Sequence, residues 1–177
     1  LSAAELTREY EWHYRVFSEG DSTEHELRAF YALNPERDKK YVNWGSGAWS
    51  RSVEVLRADG WQVFGYEPHG SAGGEGSAIL RSLDELVALQ PSGIYSNNVL
   101  EHLRHPIDEL KTMSSLLPPG SMMSHATPCF EYRFEFTRFH LFFFLGRSRH
   151  ILADRAGLKM IDYVADGDFM NLLLARP

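Results

Sequence analysis

From residue 40 onward, short strand-like runs alternate with helix-like stretches, and this alternation restricts the possible folds more than any single motif does. The runs are KYVNW (40–44), WQVFGYE (61–67), GIYSN (93–97) and SMMSHA (121–126), with helix-like stretches at 50–58, 83–90 and 106–117 between them. Strands joined through helices predict βαβ units and a mainly parallel sheet. The helix starts carry their own signals: Ser82-Leu83-Asp84-Glu85 has capping-box form, and Pro106 suits a first helical turn. The chain closes differently. Ser148 is placed to cap a helix ending before Gly157, and the strand-like residues beyond it flank Asp166-Gly167, a hairpin turn that sets its two strands antiparallel. The expected fold class is α/β, a three-layer sandwich around a mostly parallel sheet with an antiparallel C-terminal hairpin strand.

Residues 1–38 read as a separate helical segment, with residues 39–177 forming the main domain. Ser2 and Glu5 have capping-box spacing, and Leu6, Tyr10, His13 or Tyr14, and Phe17 follow at helical intervals, so a helix is expected over 3–17. Thr23 and Glu26 repeat the signal ahead of a helix over 24–33 that stops before Pro35. The glycine-rich GSAGGEGSA at 70–78 is expected to be a flexible loop.

Charge and cysteine content exclude several function classes. A net charge of −6 argues against general adhesion to nucleic acid, which needs a clustered basic surface to displace counterions. Cys129 is the single cysteine, so neither an intrachain disulfide nor a cysteine-based zinc cluster can form, and a reducing compartment is the default. The longest apolar run, LFFFL at 141–145, is too short to span a bilayer. A soluble, cytoplasmic protein is expected.

The first strand runs into Gly45-Ser46-Gly47, where ligands of parallel α/β sheets bind, and absent Cβ atoms let the backbone turn tightly beneath a ligand. Glu67 ends the next strand about twenty residues on, where a carboxylate can accept both hydroxyls of an adenosine ribose. The third glycine of a dinucleotide loop would fall at Ser50, whose side chain obstructs the close packing a pyrophosphate requires. NAD is thereby disfavoured, and the absence of a G-x-x-x-x-G-K-[ST] motif disfavours an ATP phosphate cradle.

KYVNWGSGAWSRSVEVLRADGWQVFGYEP resembles the first two strands of class I S-adenosylmethionine-dependent methyltransferases, and IYSNNVLEHLRHPIDELKTMSSLLPPGSMMSHATP resembles their fourth strand, helix and fifth strand. VLEHL followed by a Pro-Gly turn is similar to the branch that includes the ubiquinone-biosynthesis O-methyltransferases and many small-molecule methyltransferases. FHLFFFLGRSRHILADRAGLKMIDY resembles that branch's segment before the closing hairpin. The resemblance implies a Rossmann-like fold, S-adenosyl-L-methionine as cofactor, S-adenosyl-L-homocysteine as product, and a lid or cap role for residues 1–38. It implies that Gly45, Ser46 and Gly47 line the methionine portion, that Glu67, with Pro68 beside it, holds the ribose, that Ser82 and Leu83 flank the adenine, and that Asn97 and Asn98 close the pocket beneath the sulfonium. Asn43 and Trp49 also fall in the cofactor motif, as departures from it. Asn43 replaces an acid, a change worth about 1–3 kcal/mol toward a cationic ligand at an effective dielectric near 20. Trp49 replaces a glycine and either stacks on the cofactor or fills space. Ser92-Gly93 stands where an Asp normally opens the fourth strand.

Methyl transfer from a sulfonium needs alignment of donor and acceptor and, for some acceptors, removal of a proton. His102 is the imidazole nearest the inferred pocket and the candidate base, with Glu101 beside it and His140 in the substrate region as further catalytic candidates. Adjacent residues on a helix face differently, so at most one of Glu101 and His102 points into the site. Some ubiquinone-pathway relatives hold a divalent metal through a Glu-x-x-Glu-His pattern; here Asn98 takes the first ligand position, and no metal is expected. Phe130, Tyr132, Phe134, Phe136, Phe139, Phe142, Phe143 and Phe144 form either an acceptor wall, suited to an aromatic or lipid-like molecule, or a packed core. Arg133, Arg138, Arg147, Arg149 and Arg155 either hold an anionic acceptor or form a solvated face. The leading expectation is methylation of a small molecule at oxygen. The alternatives are a binding or scaffolding protein that has lost turnover, and a nicotinamide-dependent oxidoreductase.

Overall fold

A computed structural model of the chain describes residues 21–47, 49–69, 78–131 and 140–177, together with 5, 8 and 12. The helix expected over 3–17 and the glycine-rich loop at 70–78 lie largely outside the described residues. In chain order the elements are α1 (Thr23–Ala32), β1 (Lys40–Trp44), α2 (Arg51–Ala58), β2 (Gln62–Tyr66), β3 (Ile79–Leu80), α3 (Leu83–Leu89), β4 (Gly93–Asn97), α4 (Pro106–Ser115), β5 (Met122–Ala126), α5 (Ser148–Ala156), β6 (Lys159–Asp166) and β7 (Phe169–Ala175). Single 3₁₀ turns lie at Leu100–His102 and Pro128–Phe130.

The seven strands form one sheet in the order β3-β2-β1-β4-β5-β7-β6. Pairing is parallel from β3 to β5 and antiparallel where β7 joins β5 and β6, as the alternation and the Asp166-Gly167 turn predict. The period of two sorts side chains to the two faces. Val42 and Trp44 join an apolar cluster with Leu110, Met113, Met123 and Leu172, whereas Tyr41 packs on the opposite side with Phe30, Leu56 and Tyr95. Helices on both sides give three layers. Phe30 of α1 is wholly buried, its ring centroid 5.4 Å from Tyr41 and 5.6 Å from Tyr95. Burial of such a side chain stabilises by about 1.5–3 kcal/mol, so α1 is part of the packed core.

Three local features differ from expectation. The two-residue β3 was not anticipated, since two residues carry no alternation; Gly65 and Glu67 donate their N–H groups to Ala78 and Leu80 and hold it to β2. Ser148 is inside α5, not its cap, and its hydroxyl bonds back to the Leu145 carbonyl. Thr23 likewise is the first residue of α1 and not its cap: Ser22 holds the N-cap position, and the Glu26 carboxylate accepts from Asn43 and closes no capping box. At Ser82 the capping box is present as expected.

His125 of β5 is fully buried, and its Nδ1 lies 2.8 Å from the Ser96 hydroxyl. Burial depresses its pKa to about 3. The unfolded chain therefore binds the extra proton first, and stability is full above the unfolded histidine pKa and falls as pH drops toward the folded one, by at most about 1.4 kcal/mol per pH unit. His125→Gln should flatten this acid limb in denaturant titrations compared with the parent chain. Identical slopes would show that other groups drive the acid sensitivity.

Candidate cofactor and acceptor site

The strand order reverses between β1 and β4, and ligands of open α/β sheets bind outside the carboxyl ends of the strands at such a point. Two loops meet there. Gly45 leaves β1 with φ +73°, and its N–H and that of Ser46 both donate to the Tyr66 carbonyl, at 2.8 and 3.2 Å. A Cβ on Gly45 would stand 2.7 Å from Val99 Cγ2, so the β1 and β4 loops touch only because position 45 has no side chain. Gly65 gives equivalent room beneath: a Cβ there would lie 2.3 Å from Ser46 Oγ. The sequence reading passed over Gly65, although a glycine inside a strand signals close approach of another chain segment.

Glu67 follows β2, half-buried, with Oε1 accepting the His69 N–H at 2.9 Å. Arg81 donates to the carbonyls of Glu67 and His69 and ties this turn to the start of α3. Ser82 caps α3, and Leu83 and Pro68 are exposed. Asn97 ends β4, and Asn98 follows with φ +54°, its N–H bonded to the Ala126 carbonyl. Gly45, Ser46, Gly47, Glu67, Pro68, Ser82, Leu83, Asn97 and Asn98 thus all sit at the carboxyl edge of the parallel strands. A depression of about 380 Å³ lined by Leu33, Tyr41, Gly93 and Met122 lies at the other edge, away from these loops.

The two departures have distinct explanations. Asn43 is buried, and its Nδ2 donates to Glu26 Oε2 at 2.7 Å. The hydroxyls of Ser50 and Ser52 donate to the same oxygen, and Ser22 donates to Oε1. The carboxylate absent from β1 is therefore supplied from α1, a correction to the expectation that Asn43 leaves the loop without a negative charge. Sequence reading missed Glu26 because its spacing from Thr23 suggested a cap. Trp49 is 63% exposed, with its indole N–H on Glu54 at 2.6 Å; it fills no core space.

Across the β4 loop lies a polar group of different character. Glu101 is wholly buried in the first 3₁₀ turn, accepts the Thr127 hydroxyl at 2.6 Å, and is pushed by that burial up to about 7. His102 is half-buried and faces His140, with ring centroids 5.1 Å apart. The two neighbours thus converge on His140 and do not diverge as expected of adjacent helical residues: His102 Nε2 stands 4.0 Å from Glu101 Oε1. The Leu141 N–H donates to the Glu101 carbonyl at 2.7 Å, and the Phe144 N–H to that of Cys129 at 2.9 Å, which holds the segment from His140 against this group. His140 Nδ1 lies 3.2 Å from Cys129 Sγ. Burial lowers the His140 pKa and raises that of Cys129 to about 11.

The aromatic run divides. Phe130 and Phe144 are buried in the core, Phe142 is exposed, and Phe143 packs beside His140. Tyr132, Phe134, Phe136 and Phe139, with Arg133 and Arg138, lie outside the described residues. Arg149 pairs with Glu131 and stacks 3.6 Å from the Tyr163 centroid, an internal role, whereas Arg147 and Arg155 are exposed.

A family model described as a methyltransferase domain matches residues 23–162. The chain belongs to that family. Its match begins with α1, the helix that carries Glu26. No curated protein matches the chain by sequence. Among solved structures it is similar to Burkholderia thailandensis 1,6-didemethyltoxoflavin-N1-methyltransferase with bound 1,6-didemethyltoxoflavin and S-adenosylhomocysteine: TM-score 0.70 and 13% identity over 98% of this chain and 88% of that one. TnmH gives TM-score 0.59 and 16% identity over 89% of this chain and 57% of that one. The mitomycin 7-O-methyltransferase MmcR gives 0.61 and 14% over 88% and 54%. The chain thus spans little more than half of two of these three proteins. At such identities the likeness is one of fold, and the fold is the class I methyltransferase sandwich that the strand order displays.

Proposed function

We propose that this chain transfers a methyl group from S-adenosylmethionine to a small-molecule acceptor, at oxygen, in a cytoplasmic setting. The observation that carries the reading is the gathering of the Gly45 loop, Glu67 and the Asn97-Asn98 turn at the carboxyl edge of the parallel strands, beside the strand-order reversal. Bound there, S-adenosylmethionine supplies an already activated methyl group and leaves as S-adenosylhomocysteine. Gly45, Ser46 and Gly47 approach the methionine portion through their backbone. Glu67 accepts from the ribose hydroxyls, with Pro68 beside it, while Ser82 and Leu83 flank the base and Asn97 and Asn98 close the floor. Asn43 acts through the Glu26 cluster, and Trp49, exposed and bonded to Glu54, is left free to stack on the cofactor. His102 takes the proton from the acceptor hydroxyl, and Glu101 and His140 orient it. Residues 1–38 are assigned as cap, anchored through α1.

Glu67→Ala tests the placement. Loss of a charged acceptor for two hydroxyls should weaken S-adenosylmethionine binding by calorimetry about 10- to 100-fold, with the thermal midpoint retained. Unchanged affinity would mean the site is elsewhere. The reading as a protein without turnover rests on Asn43, Trp49 and Ser92-Gly93, and the Glu26 carboxylate beside Asn43 answers the first of these.

A further inference from the structure

Glu101, Cys129 and His140 come from three separate stretches of chain, yet one ligating atom from each lies within 4.8 Å of the others. We propose that these three side chains form a binding site for a single zinc-class divalent cation. The inference does not depend on the methyl-transfer reading, since it concerns the donor set alone.

Several observations support it. A carboxylate, a thiol and an imidazole together suit zinc, which takes oxygen, sulfur and nitrogen ligands, and suit magnesium poorly, which prefers oxygen. Tetrahedral bonds of the usual length place ligand atoms roughly 3.3–3.8 Å apart, so modest side-chain rotation closes the set. Glu101 is 0% exposed, and its Oε2 has no hydrogen-bond partner among the described residues. A buried carboxylate with a bare oxygen is costly unless a cation or donor meets it. Thr127 already supports two of the donors: its hydroxyl donates to Glu101 Oε1 and accepts the Cys129 N–H at 3.1 Å. Outer-shell partners of this kind orient metal ligands. On binding, Cys129 coordinates as thiolate and its proton passes to bulk water, with no change of oxidation state. Three protein donors leave one position for water or an acceptor atom. The expectation of metal independence considered only the oxygen-rich pattern at Asn98, Glu101 and His102. It could not foresee that folding brings Cys129 and His140 to Glu101.

The test uses the full chain, freed of metal by chelator and then titrated with Zn²⁺ against a chromophoric competitor and, separately, with Co²⁺. Expected are one equivalent of Zn²⁺ per chain and, with Co²⁺, tetrahedral d–d bands plus a thiolate-to-cobalt charge-transfer band. Cys129→Ser should abolish the charge-transfer band. It and His140→Ala should each weaken Zn²⁺ by more than about 100-fold, beyond the 10- to 100-fold expected for the outer-shell Thr127→Val. Exposed His150→Ala should change nothing. Near-UV circular dichroism monitors folding; should Cys129→Ser fail to fold, the parent Co²⁺ spectrum and His140→Ala decide. Substoichiometric zinc, a Co²⁺ spectrum without the thiolate band, or affinity unaltered in His140→Ala overturns the site. Calorimetry with S-adenosylmethionine on the same samples separates the two readings: cofactor binding without zinc rejects only the metal site, and zinc without cofactor binding rejects only the proposed function.

Discussion

His102→Ala should lower kcat by about 10²- to 10⁴-fold, the usual contribution of a positioned general base, while S-adenosylmethionine affinity stays at the parent level. The expectation follows from where the ring lies. His102 lies in the 3₁₀ turn that follows the Asn97-Asn98 loop, and its ring meets that of His140. Its Nε2 stands 4.0 Å from Glu101 Oε1, close enough for the carboxyl to bias its orientation. The split between kcat and cofactor binding distinguishes a base from a packing residue. Equal losses in both would make His102 structural, and an unchanged rate with the physiological acceptor would remove it from the mechanism.

Gly45→Val should abolish cofactor binding and destabilise the fold by about 2–5 kcal/mol. Two costs combine. A φ of +73° forces any L side chain into the left-handed region, at about 1–2 kcal/mol. The new Cβ would also meet Val99 at 2.7 Å, and overpacking of this kind costs about 1–3 kcal/mol. Gly120 separates the terms, since its φ is +83° but a Cβ there would meet nothing within 4 Å. Gly120→Val should therefore show the backbone cost alone in denaturant unfolding, with cofactor binding intact. Equal destabilisation at both positions would show that the β1–β4 loop contact is not tight.

Much of the architecture was legible in the residues because it is encoded locally. Alternating strand-like and helix-like runs, the Ser82 capping box and the Asp166-Gly167 turn each depend on neighbours a few positions apart, and all appear in the fold. That Gly45, Gly47 and Glu67 share one edge was legible for a related reason: in parallel sheets, residues just after successive strands lie together. Less visible was β3, whose two residues pair with β2 without any period of their own. Ser148 misled because a capping residue and a first-turn residue look alike until the backbone path is known.

The sequence by itself determined the sandwich, the antiparallel closing strands and the edge on which a cofactor would sit, since these follow from hydrophobic period, turn chemistry and strand order along the chain. Tertiary structure alone decided that Glu26 restores a carboxylate beside Asn43, and that Glu101, Cys129 and His140 converge. Such meetings join side chains 11 to 39 positions apart (129 to 140, 101 to 140), and no local period encodes them. They arise when helices and loops are packed onto the sheet, where burial draws unpaired polar groups toward one another.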